Sequence, residues 1–145
     1  MVREELEKVW EKHTTAEFLK RDLEATMATM VDEPYIKIIP INVGGSGKDG
    51  VRAFYSDVMI PSIPDDLQAR IINRIIGDRH LVDEIYFTFT HNKQMDWFLP
   101  GIPSTNKRIE LEHVVVVEFR GDKIAGERVY WDHATVLRQV GLLKD

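Results

Sequence analysis

The chain has 145 residues, a net charge of −5 and no cysteine, which excludes disulfide and thiol chemistry and makes a reducing cytoplasm the expected setting. No basic patch stands out, so neither a nucleic acid nor a membrane is an expected partner. With 43% hydrophobic and 30% charged residues the composition is globular, and the length predicts one domain over residues 1–145.

The chain opens on MVREELEKVW, which is charged and has no apolar h-region, so no signal peptide is expected. No apolar run approaches the ~20 residues of a membrane span. Leu6, Val9, Trp10 and His13 fall on one helical face. A break is expected at HTTAEF, where Thr14 and Glu17 have capping-box spacing. A second helix would then carry Phe18, Leu19, Leu23, Met27 and Met30, ending near Pro34. YIKIIPI reads as a short β-branched strand. The Gly-rich VGGSGKDG has neither GxxxxGK[ST] nor GxGxxG spacing, so it reads as a flexible lead into a third helix, KDGVRAFYSDVM.

DDLQARIINRIIG fits a helix or a strand, and its four isoleucines before a GDRH turn favour the strand. LVDEIYFTFTH alternates, with Ile85, Phe87, Phe89 and His91 on one face. In KRIELEHVVVVEFR, Ile109, Leu111, His113, Val115, Val117 and Phe119 share a face opposite Glu110, Glu112 and Glu118. Gly121-Asp122 marks a tight turn, IAGERVYW a last strand, and HATVLRQVGLL a closing helix with Asp132 at its N-cap position. Helices followed by strands predict an α+β fold. Three N-terminal helices would pack on a strongly curved antiparallel sheet, leaving a cone-shaped pocket, with a short C-terminal helix.

Four stretches resemble the SnoaL-like polyketide cyclases of the nuclear-transport-factor-2-like (cystatin-like α+β) superfamily. They are GKDGVRAFY, FTFTH ending at His91, LPGIPSTNKRIEL, and ERVYWDHATVLRQVGLL. Together they span about residues 44 to 143. Three positions depart from the family pattern: Asn106 stands for a usual Gly, Gly126 for a common acid, and His113 for a small or apolar residue. The resemblance implies that Asp132, at the end of the last strand, is the general acid/base. Its other reading is a helix cap.

His91 and His113 are the remaining catalytic candidates, as proton carriers or as donors to a substrate carbonyl. Each has a bland reading, a rim histidine and a satisfied core histidine. His13 and His133 are lesser candidates. Trp10, Tyr55, Met59, Phe89, Trp97, Val115, Arg128 and Tyr130 are candidate ligand-binding residues. Arg128 shares strand parity with Tyr130 and Asp132, so an Arg128–Asp132 pair could hold a water or instead depress the acid's pKa. No HExxH or other ligand spacing occurs, so neither a metal nor another cofactor is expected.

Three functions fit these residues. One is an acid/base cyclase, isomerase or lyase acting next to a carbonyl. Another is a non-catalytic binder of a small apolar molecule. The third is an epoxide- or lactone-type hydrolase using Asp132, Arg128 and a water. The resemblance also implies a homodimer through the outer sheet face.

Overall fold

The structure is a computed structural model that describes residues 2–144. Helix α1 (Arg3–Thr14) buries Leu6, Trp10 and His13. It does not break at HTTAEF: it runs on into a π-helical turn, Thr15–Leu19. Thr14 sits inside this continuous helix and its hydroxyl bonds the Glu11 carbonyl, so the capping box does not form. After Arg21, at φ 52°, the six-residue helix α2 (Leu23–Ala28) is capped by Asp22, which accepts from Ala25 N at 3.0 Å.

Strand β1 (Met30–Ile38) begins five residues before the predicted one. It runs through Pro34 because Pro34 falls within the register irregularity between Met30 and Tyr35, where no ladder N–H is needed. The Gly-rich stretch is ordered rather than a flexible lead: it forms β2 (Val43–Ser46) and opens α3 (Gly47–Ala53). At Gly44 a Cβ would stand 2.0 Å from the Ile36 carbonyl oxygen, so only glycine allows β2 this close to β1. Helix α3 passes into a second π-helical turn, Phe54–Met59.

The strands β3 (Gln68–Ile76), β4 (His80–Thr90), β5 (Arg108–Arg120) and β6 (Lys123–Trp131) follow, then α4 (His133–Gln139). The six strands form one curved sheet in the order β2-β1-β6-β5-β4-β3. The sheet is mixed rather than wholly antiparallel, since β1 and β6 run parallel. The α+β architecture is thus the expected one.

Alternation along β5 puts Ile109, Leu111, His113, Val115, Val117 and Phe119 inside. Bulges at two places set which side chains of the flanking strands point the same way. One makes Ile72 an extra residue opposite Ile85 and Glu84, so that Arg74 faces Asp83. The other makes Ala125 extra, between Ile124 opposite Phe119 and Gly126 opposite Glu118. From there Glu127, Val129 and Trp131 face the interior, while Arg128 and Tyr130 face outward.

Candidate functional site

A cavity of about 590 Å³ lies between the concave sheet face and the helices. Aromatic side chains of Trp10, Phe18, Phe87, Trp97, Phe98 and Trp131 form much of its wall. The polar part of the wall falls into two groups with different chemistry.

The first group is neutralised. Asp83 is fully buried and takes a two-pronged contact from Arg74, Nε to Oδ1 at 2.7 Å and Nη2 to Oδ2 at 2.9 Å. Trp10 Nε1 donates to Asp83 Oδ2 at 2.9 Å. Arg74 also reaches Glu7 and Glu11 of α1 at 2.8 and 3.2 Å, so this network ties α1 to the sheet. With its donors so engaged, Arg74 works as structure.

The second group sets two carboxylates against one imidazole. Glu17 from the first π turn and Glu127 from β6 both line the cavity and are buried. Their charged partner is His13: its Nε2 lies 2.9 Å from Glu17 Oε2 and 3.3 Å from Glu127 Oε2. Tyr55 from the second π turn donates its hydroxyl to Glu127 Oε2 at 2.5 Å and stands 3.3 Å from His13 Nε2. On the far side of the ring, His13 Nδ1 meets Thr29 Oγ1 at 2.7 Å, and that hydroxyl gives its own proton to the Thr26 carbonyl. Thr29 is therefore an acceptor, and His13 carries a proton on Nδ1. The two π turns matter here because such turns re-aim side chains and recur at functional sites.

Titration follows from this geometry. Burial alone would lower the pKa of His13, but the carboxylates of Glu127 and Glu17 outweigh it and raise it to about 10. Burial drives the Glu17 carboxyl up to about 6. It also raises the Tyr55 phenol well above its usual value. Glu17 is thus a buried acid that holds its proton more firmly than usual, as general acid–base groups do.

His113 also lines the cavity, stacked on Phe87 with ring centroids 3.8 Å apart. Burial lowers its pKa to about 4, so it is neutral at pH 7. Its Nδ1 is buried without a hydrogen-bond partner among the described residues. Trp10, Met59, Trp97 and Val115 line the cavity as well, with Trp97 held by a 2.9 Å bond from its Nε1 to Ser62 Oγ.

Other candidates lie elsewhere. Asp132 is exposed and is not part of the cavity wall. Its carboxylate accepts from Ala134 N at 3.1 Å and Thr135 Oγ1 at 2.8 Å, capping α4. The Thr135 hydroxyl and these backbone donors hold its carboxyl below the usual range. The cap geometry turns the side chain toward the helix it starts, so of the two readings, inward acid and helix cap, the contacts are those of the cap. Arg128 does not pair with Asp132: its Nε donates to Tyr130 Oη at 3.1 Å on the outer face. Both Arg128 and Tyr130 are corrected from ligand-binding to outer-face positions.

His91 is fully buried outside the cavity wall. Its Nδ1 accepts from Thr105 N at 3.2 Å and its carbonyl takes Thr105 N and Asn106 N, so it pins the 91–107 loop. Phe89 is core beside Phe98, also off the wall. Tyr55 is in the polar cluster rather than on the wall.

Residues 2–140 match the SnoaL-like polyketide cyclase family. The chain belongs to that family. Among solved structures, a protein from Jannaschia sp. CCS1 assigned to the SnoaL-like polyketide cyclases is 13% identical, with TM-score 0.81, 99% of this chain and 96% of that one covered. TsrD from Streptomyces laurentii is 17% identical, with TM-score 0.75 and 99% of each chain covered. An NTF2-like protein from Burkholderia xenovorans LB400 is 14% identical, with TM-score 0.70 and 97% and 98% covered. At such identities the likeness shows the fold. No curated protein matches the chain in sequence. No helix among the described residues is long and apolar enough to cross a membrane.

Two departures from the SnoaL-like pattern have local causes. Asn106 adopts φ 58°, the left-handed conformation that asparagine tolerates better than most residues other than glycine. Gly126 lies opposite Tyr35 on the parallel strand, and a Cβ there would stand 2.1 Å from the ring. Sequence reading missed Glu17 and Glu127 as site residues. One signal was available: His13 and Glu17 are four apart, which puts them on one helical face.

Proposed function

We propose that this SnoaL-like protein is an acid–base catalyst of the cyclase or isomerase type, acting on a small, largely apolar carbonyl compound held in the cavity. No organic cofactor is needed for such a step. The observation that carries the proposal is the meeting of Glu17 and Glu127 at His13 Nε2 on the cavity wall. Glu127 takes the proton next to the substrate carbonyl, and the Glu17 carboxyl supplies one to the developing enolate oxygen. The aromatic walls exclude water, which strengthens both contacts and orients the reacting carbon.

The test is turnover of a panel of β-dicarbonyl compounds by Glu127→Gln, Glu17→Gln and Asp132→Asn. Either glutamine variant should lose about 10²–10⁴ in kcat/KM, and Asp132→Asn should keep the wild-type rate. A folded Glu127→Gln protein with undiminished turnover overturns the reading and leaves a binder of small molecules. We further propose that the protein works as a cytoplasmic homodimer joined through the outer sheet face, where Glu110 and Glu112 share the side of Thr88 and Tyr130.

A further inference from the structure

We infer that His13, Glu17 and Glu127 form a binding site for one divalent first-row transition cation. The inference goes beyond the acid–base reading: it concerns the same side chains in a second, metal-loaded state, in which neither carboxylate is free to carry a proton.

The three side chains each offer one ligand atom, and these atoms lie within 4.8 Å of one another. A cation with bonds of about 2.1 Å places neighbouring ligands about 3.0–3.4 Å apart at octahedral or tetrahedral angles. The Nε2–Oε2 separation of 3.3 Å falls inside that range and that of 2.9 Å just below it.

The second observation concerns direction. Glu17 Oε2 is buried and makes no hydrogen bond, although it lies 2.9 Å from His13 Nε2. A carboxylate oxygen that close would normally align with a ring N–H. Glu17 Oε2 thus keeps lone pairs inside the cluster that no aligned donor uses and that a cation can take up.

The outer contacts agree. Thr29 holds a proton on His13 Nδ1, which leaves Nε2 as the ligating nitrogen. Metal-ligating histidines are usually held in this way through the second ring nitrogen. Tyr55 donates to Glu127 Oε2 and orients that carboxylate. Glu17 and Glu127 both line the cavity, which puts the site at its wall. One imidazole with two carboxylates suits zinc, manganese, iron or cobalt. On binding, the cation takes the place of the proton at Nε2, which passes to solvent, and two buried carboxylates gain a divalent counter-charge.

Zn²⁺ is the probe. Isothermal titration of chelator-treated, dialysed full-length protein at neutral pH should show one equivalent bound with Kd of about 10 µM or tighter. His13→Gln and Glu17→Gln should weaken it at least about tenfold, whereas His80→Gln, an exposed histidine, should leave it unchanged. Near-ultraviolet circular dichroism checks that the variants fold. The wild-type titration alone decides the matter if they do not. No saturable binding tighter than about 100 µM, or binding untouched by both variants, overturns the inference. Turnover by the chelator-treated protein bears on the acid–base reading alone, so the two can fail separately.

Discussion

Thr29 Oγ1 lies 2.7 Å from His13 Nδ1 and has already given its proton to the Thr26 carbonyl. One threonine at the end of α2 therefore decides which nitrogen of a buried histidine faces the two glutamates. Thr29→Val removes the acceptor and leaves an N–H buried without a partner, which should cost about 1–3 kcal/mol in urea unfolding. Turnover should fall with it, and Thr29→Ser should restore both.

Asp132 stabilises the protein as a cap. Asp132→Ala should lower stability by about 1 kcal/mol and leave turnover of the dicarbonyl panel at the wild-type level, read by denaturation and steady-state kinetics on the same preparation.

His113 makes the fold sensitive to acid. Its pKa falls from 6.5 unfolded to about 4 folded, because burial disfavours the charged ring. The stability linked to this group is fully present above pH 6.5 and is lost as pH drops toward 4. The loss is on the order of 3 kcal/mol. His113→Leu should flatten that part of the stability profile measured between pH 7 and pH 4.

Gly126 gives room to Tyr35. Gly126→Ala should destabilise by about 1–3 kcal/mol through overpacking, and Tyr35→Ala in the same chain should recover most of that loss. A double-mutant cycle in chemical denaturation measures the coupling.

The assembly proposal is checked by sizing chromatography with light scattering. The expected particle has about twice the 16.8 kDa mass of one chain. A species of single-chain mass at working concentration removes the dimer.

Strands β4 and β5 were legible because long alternation is set by burial of one face, and their inward residues are those the pattern indicates. The face of β6 was not. Val129, Tyr130 and Trp131 put apolar side chains on both sides, and the bulge at Ala125 shifts the phase before them. The wrong face brought Arg128, Tyr130 and Asp132 inward and hid Glu127. A buried glutamate reads as an error until its partners are known, and those come from α1 and the second π turn, far away in the chain. The break after α1 failed for a related reason: Thr14 has the residue type of a cap, but the tertiary packing of Ala16 and Glu17 keeps the helix going.

Both π turns carry a member of the cluster, Glu17 in one and Tyr55 in the other. Each turn holds one more residue per hydrogen-bonded loop than an α-helix does. Removing a single residue from the first turn would return it to α-helical spacing and turn Glu17 by up to about 100°, away from His13 and Glu127, while the flanking segments kept their places. Such a deletion would separate the cluster from the scaffold that carries it.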